Sequence, residues 1–310
     1  MLYGALSASL PDIDFVASFW LKTPYDLLAH RGLTHSFLFA FVVTITLTFV
    51  IRNRTSLEKI PTKIWLIFIG TEILVHLFLD VFNTYGTGLF EPFSHYRVSW
   101  NTIFVADPFF SIWPIFAAVV LLILNKYSNH RKGWAIFGLV LSSLYLFYCI
   151  SNKLRIDNQS RIAFKHQNII VDHYFTTPTP FNNWLWYIVA QTDSGYYIGY
   201  RSVFDRADQI SFRFFPGNSS LLKSFSKHKD YQELVRFSQG YYTASLSRQG
   251  VLFNDLRFGQ MQGWRNPEAN FVFHYYLQAP DENLLVVQRG RVANWNIESV
   301  GFLWRRIKGE

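Results

Sequence analysis

The chain has 310 residues, a net charge of +8, 50% hydrophobic residues, only 16% charged residues and a mean hydropathy of +0.11. That apolar content excludes a disordered chain. A single Cys excludes a disulfide framework and any Cys-built zinc module, so a metal site has to be assembled from His, Asp and Glu.

The first half is nearly continuous apolar text. Met1–Trp20 is interrupted by Leu10-Pro11-Asp12-Ile13-Asp14, and its part before Pro11 is too short to cross a bilayer, so it reads as a partial N-terminal helix. It lacks the basic start and small-residue cleavage site of a signal peptide. Four segments approach the roughly 20 apolar residues a span needs: about Leu33–Ile51, Lys63–Phe82, Phe104–Leu124 and Trp134–Ile150. Asp107-Pro108 is expected to cap the third of them.

Arg52, Arg54, Lys59 and Lys63 in one loop, and Lys126, Arg131 and Lys132 in another, place those loops in the cytoplasm. Residues 83–103 then face outward, with His95 and Arg97 as candidate substrate contacts, and the C-terminal half emerges outside. In such a chain Lys and Arg serve cytoplasmic loops and anionic headgroups, so the lipid bilayer is the expected partner and nucleic acid is not.

From about residue 155 short β-rich runs alternate with turn residues: Tyr187–Ala190, Gly195–Tyr200, Ser211–Phe215, Gly240–Ser247, Phe271–Leu277 and Leu284–Gln288, with turns at Asp193–Gly195, Arg248–Gly250 and Arg289-Gly290. Thr176-Thr177-Pro178-Thr179-Pro180 reads as a stiff extended joint. The expected fold class is an α-helical integral membrane domain over 1–152, with four spans plus the partial helix. A soluble, mainly antiparallel β domain follows over 153–310, extracytoplasmic and with an unknown protein partner.

Three clusters of metal-type ligands lie in the first 80 residues: Asp12 and Asp14, then His30-Arg31-Gly32-Leu33-Thr34-His35, then His76 and Asp80. On a helix His76 and Asp80 share one face a turn apart, with Glu72 one turn deeper. An Asp near the bilayer centre costs about 2.5–3.5 kcal/mol, so these groups need a reason. The loop charges bring all three clusters to one membrane level. Histidines plus carboxylates without sulfur suit zinc, manganese or iron and leave room for two metals. Gly32 allows His30 an irregular entry while Thr34 is expected to cap the helix carrying His35, and Arg31 is a natural oxyanion partner.

Leu-Pro-Asp-Ile-Asp, His-Arg-Gly-Leu-Thr-His-Ser, and His-Leu-Phe-Leu-Asp with the following Asn83-Thr84-Tyr85-Gly86-Thr87 together resemble the bacterial inner-membrane, membrane-bound metal-dependent hydrolase family. The likeness continues through Glu91-Pro92-Phe93-Ser94 and Ala106-Asp107-Pro108-Phe109, and more loosely into Pro178–Asn182. It implies a metal site, related by analogy to zinc-dependent phospholipases C, with Asp12, Asp14, His30, His35, His76 and Asp80 as ligands and Arg31 beside them. Longer relatives begin with a further helix preceded by an Asp-Ser-x-Thr-His type segment, whereas this chain starts at Met1-Leu2-Tyr3-Gly4 as if inside the next one, so the resemblance leaves two expectations, a start placed late or a shortened member that lacks a helix and a ligand.

The expected function is a metal-dependent hydrolase, with zinc favoured over manganese or iron. It would act on an ester or phosphoester of a lipid or envelope component at the outer face of the cytoplasmic membrane. Arg31 would steady negative charge and Glu72 would orient His76. The alternative is a non-catalytic membrane assembly or envelope-stress protein whose polar cluster is structural.

Overall fold

A computed structural model describes residues 2–54, 60–207, 209–248, 250–277, 285–288 and 295–310. The helices are α1 (Leu2–Ser9), α2 (Thr23–Ala29), α3 (Phe37–Arg54), α4 (Thr62–Asp80), α5 (Pro108–Ile123), α6 (Arg131–His166), α7 (Lys229–Phe237) and α8 (Ile297–Ile307). Shorter 3₁₀ segments cover Pro11–Phe19 and Leu33–His35. The strands are β1 (His173–Pro178), β2 (Leu185–Thr192), β3 (Gly195–Ser202), β4 (Phe212–Pro216), β5 (Tyr242–Ser247), β6 (Gly250–Gln260), β7 (Phe271–Leu277) and β8 (Leu285–Gln288). Contacts divide the chain into a helical unit, Met1–Trp100 with Phe225–Gly240, and a second unit, Asn101–Ser224 with Tyr241–Glu310.

In the helical unit, Trp65, Ile69, Ile73 and Leu77 recur every four residues on α4 and form one buried stripe, packed on Ala40, Val43, Leu47 and Ile51 of α3. Tyr3 of α1 meets Trp65 edge to face at 5.6 Å. The other faces of α3 and α4 expose Phe41, Phe49, Ile67 and Phe78, as helices bathed in lipid do.

Helices α4 and α6 are long and apolar enough to cross a bilayer, their best windows having mean hydropathies of 1.6 and 1.8. Residues Thr23–His35 and Phe37–Asn53 form a pair bent by 56°, a broken span or re-entrant turn. Helix α5 has 16 residues, about 24 Å at 1.5 Å per residue, short of a core about 30 Å thick. The four expected spans thus become two to three candidates. Asp107 starts α5 four residues inside the apolar run, its Oδ1 accepting from Phe109 N (2.9 Å) and Phe110 N (3.3 Å), so the expected cap is the reason the helix is short. The lysine at position 59 used for orientation lies outside the described residues.

In the second unit, α5 and α6 approach closely at Gly138, where a Cβ would stand 2.7 Å from Ala117 Cβ. Helix α6 continues to His166 through the stretch from residue 155 that was read as β-rich. Asn152, Ile156, Ser160, Ala163 and Phe164 repeat at helical spacing and are buried, and the three apolar ones pack on Trp186, Ile188 and Ala190 of β2. Lys153 Nζ ties this part of α6 to β1 through Thr176 Oγ1 (2.7 Å) and Thr176 O (2.9 Å).

Two four-stranded sheets follow in the orders β1-β2-β3-β4 and β5-β6-β7-β8, and every pair within them is antiparallel. Phe175, Tyr187, Val189, Tyr196 and Ile198 of the first sheet share a core with Leu256 and Phe271 of the second. The expected strands are present, and β1 and β6 join them. Thr176–Pro178 of the expected joint end β1 on the sheet edge, where a Pro without a donor is tolerated. The expected turns at 248–250 and 289–290 involve positions outside the described residues. Helix α8 closes one end, Leu303 and Ile307 packing on Leu185.

Candidate metal centre

The centre is assembled in the helical unit from four pieces of chain. Pro11–Phe19 carries Asp12 and Asp14, the turn after α2 carries His30 and Arg31, the 3₁₀ turn before α3 carries His35, and the last two turns of α4 carry His76 and Asp80. The turn is forced by Gly32, where a Cβ would stand 2.7 Å from Leu28 O, and by Arg31, which adopts φ +56°. This left-handed residue is held from both sides: Asp14 Oδ2 accepts from Arg31 N (2.7 Å), and Arg31 O accepts from Gly88 N (2.8 Å).

Three ligand-type atoms, from Asp12, His35 and His76, lie within 4.8 Å of one another, and an oxygen of Asp80 stands against the two histidines. His35 Nε2 lies 3.3 Å from His76 Nε2, and Asp12 Oδ1 lies 3.5 Å from each. Asp80 Oδ2 is 3.2 Å from His35 Nε2 and 3.6 Å from His76 Nε2. Asp12, His35 and His76 form a group able to hold a metal ion, the group of that kind found among the described residues. Asp80 Oδ2 is buried, with the two imidazole nitrogens as its polar neighbours. Two imidazole nitrogens and a carboxylate oxygen within 4.8 Å of one another fit zinc, manganese or iron.

The other expected residues stand around this group. Asp14 is buried behind His35: its Oδ2 lies 3.3 Å from His35 Nδ1, its Oδ1 lies 3.3 Å from His30 Nδ1, and Thr34 Oγ1 approaches at 3.4 Å. A carboxylate on the far nitrogen of a ligating imidazole fixes its ring and tautomer. His30, with its side chain 43% exposed, is paired with Asp14 and stands one residue out from the converging atoms. Arg31 Nη2 reaches the other oxygen of Asp80 at 3.2 Å, and its guanidinium lies 5.4 Å from the Tyr85 ring centre.

Glu72 makes no hydrogen bond to His76 among the described residues. Its carboxylate faces α1, where a Cβ on Gly4 would stand 3.4 Å from Glu72 Oε1. Glu72 is therefore not the partner that orients His76 in this structure; the carboxylate found behind an imidazole is Asp14, on His35.

Burial pushes the Asp14 carboxyl up, but hydrogen bonds from His30, His35 and the Arg31 N–H outweigh this and hold it well below the usual carboxylate range. Hydrogen bonds with His35 and then His76 do the same for Asp12.

Two local expectations are corrected. Ser36, not Thr34, caps α3, its Oγ accepting from Phe39 N at 3.0 Å, while Thr34 Oγ1 sits 3.1 Å from His35 Nδ1. Arg97 does not face substrate. It is buried and donates to Leu28 O (3.1 Å), His30 O (2.6 Å) and Gly86 O (3.0 Å), closing the end of α2 against the 86–98 loop. His95 is exposed and pairs with Glu91 at 2.9 Å; Glu91 also receives Arg236 of α7 at 2.9 Å. Sequence periodicity carries no signal for this last contact, because its partners are 145 residues apart.

Apolar helices that gather His and Asp at one end, joined to an antiparallel sheet unit, define a helical membrane protein with a candidate metal centre. The chain belongs to the YdjM inner membrane protein family, whose model matches residues 1–156. It is 33% identical over 127 residues to inner membrane protein YbcI of Escherichia coli (strain K12), a match covering 41% of this chain and 65% of that protein. It is 27% identical over 206 residues to the uncharacterized protein YfhP of Bacillus subtilis (strain 168), covering 64% and 58%. The chain thus spans less than two thirds of the length of either relative. No solved structure matches it.

Proposed function

We propose that this protein is a metal-dependent hydrolase of the bacterial inner membrane, acting on an ester or phosphoester of a lipid or envelope component. The observation that carries this reading is the approach of Asp12 Oδ1, His35 Nε2 and His76 Nε2 to one another, with Asp80 Oδ2 beside the two histidines. These residues would hold the metal, with zinc the best match to two imidazoles and carboxylates. Such an ion supplies Lewis-acid activation of water and polarisation of the ester.

The chain's own groups would do the rest. Asp14 holds the His35 ring in place, and Asp80 divides its oxygens between the centre and Arg31. Arg31 brings a permanent positive charge to the edge of the centre, where charge develops on an ester oxygen during hydrolysis. The loop charges favour an outward-facing centre and an extracytoplasmic sheet unit.

The test is elemental analysis of the detergent-purified full chain beside His76→Ala and Asp80→Ala variants that stay monodisperse, followed by a phosphoester and acyl-ester screen. The reading expects near-stoichiometric metal and hydrolysis in the wild type and loss of both in the variants. Metal without hydrolysis of any ester, with variants that lose folded protein, would favour a structural metal in a membrane assembly protein.

A further inference from the structure

The segment that carries Asp12 and Asp14 has an apolar side that nothing in its own unit covers. Pro11–Phe19 is a 3₁₀ helix, so residues three apart share a face. Pro11 and Asp14 lie on the inward face and are buried. Ile13 and Phe19 lie on a second face and Phe15 on the third, one turn beyond Asp12, and all three apolar residues are exposed, Phe19 to 78%; Trp20 next to them is 68% exposed. Phe15 and Phe19 meet edge to face at 6.4 Å, and the exposed Lys22 follows.

Nine residues of 3₁₀ helix reach only about 18 Å at 2 Å per residue, too short to cross a bilayer. Asp12 of the segment lies 3.5 Å from both His35 and His76, so the segment sits at their end of the helices, where Phe37 and Phe41 of α3 and Phe78 of α4 are exposed as well. A short segment that exposes Ile, Phe and Trp and is followed by a Lys, beside the ends of lipid-facing helices, has the composition of an interfacial anchor.

We propose that Pro11–Trp20 lies in the phospholipid headgroup layer with Ile13, Phe15, Phe19 and Trp20 toward the acyl chains, which sets the Asp12–His35–His76 centre at the lipid–water boundary. The consequence for substrate rests on the hydrolase reading: a centre at that height takes an amphiphile, its head reaching the ligands while its tail stays in the bilayer. A water-soluble ester would gain nothing from this seating.

The experiment places the full chain in phosphatidylcholine–phosphatidylglycerol nanodiscs containing lipids with a nitroxide at the headgroup, near the top of the acyl chain or at its end. The Trp20 signal is the difference between wild type and Trp20→Phe. The expected result is loss of that signal with the headgroup and upper-chain labels, little loss with the chain-end label and little with aqueous iodide. Quenching by iodide and by no labelled lipid would overturn the proposal by placing the segment in water. Strongest quenching by the chain-end label would overturn it by placing the segment in the core.

A spin label at Phe19→Cys gives the same reading independently, since the native Cys149 is buried. Zinc content of the same preparations reports on the hydrolase reading separately: a metal-free protein with headgroup-level Trp20 keeps the seating and removes the catalytic consequence.

Discussion

His35 Nε2 and His76 Nε2 face each other at 3.3 Å, although their residues are 41 positions apart and come from a 3₁₀ turn and a long apolar helix. Two imidazoles placed this way with Asp12 and Asp80 around them need a shared cation more than they need each other. A ligand that binds only the folded state raises stability by about 2.7 kcal/mol when free at one hundred times its dissociation constant. Thermal unfolding in detergent is therefore expected to show a higher midpoint with zinc than with chelator, and His76→Ala should abolish the difference. An unchanged wild-type midpoint would count against the centre.

Asp14 tests the supporting role separately. Asp14→Asn keeps the shape and one acceptor but removes the charge behind His35 and His30. Zinc affinity measured by chelator competition should fall about 10- to 100-fold, with the fold retained. An unaltered affinity would mean that Asp14 only holds the turn.

Arg97 is expected to act on stability first. Arg97→Ala leaves Leu28 O, His30 O and Gly86 O without this donor and should cost at least about 3 kcal/mol, the upper value for one hydrogen bond from a charged group. Arg97→Lys should restore little, because one ammonium cannot span the three carbonyls that the guanidinium fork reaches. Denaturant unfolding, with limited proteolysis at residues 28–32, measures both.

The sheet unit should be sensitive to alkali. Burial pushes Tyr196 and Tyr241 up to about 12 and raises Tyr187 and Tyr200 further. The folded state thus keeps phenols protonated that the unfolded chain ionises near pH 10. Their contribution to stability is complete below about pH 10 and is lost as pH rises above it. Phenolate absorbance from these residues should appear together with unfolding, and early, reversible ionisation of all tyrosines would contradict their burial.

Ile156 measures the joint between α6 and the first sheet. It is fully buried among Ala163, Trp186 and Ile188, and Ile156→Ala should cost about 2–5 kcal/mol by leaving a cavity. Denaturant unfolding followed by tryptophan fluorescence reads it, Trp186 being part of the same cluster.

Local pattern determined much of this protein. Apolar runs marked the long helices, β-rich runs between turn residues marked most strands, Asp107-Pro108 marked the start of α5, and Asp12, Asp14, His30, His35, His76 and Asp80 marked the three clusters from which the candidate centre is drawn. These are legible because residues three, four or two apart share a face through backbone geometry alone.

Tertiary structure decided the rest. It chose Asp12 and Asp80 to face the histidine pair and set Asp14 behind His35. It turned Arg97 inward, bent the first apolar run at Gly32–Ser36, carried α6 on to His166 and brought α7 into the helical unit. Each of these depends on where a carbonyl, a carboxylate or a core side chain from a distant stretch arrives. Periodicity within one segment holds no information about that arrival, because the energies that select it are packing and hydrogen bonds made across the fold.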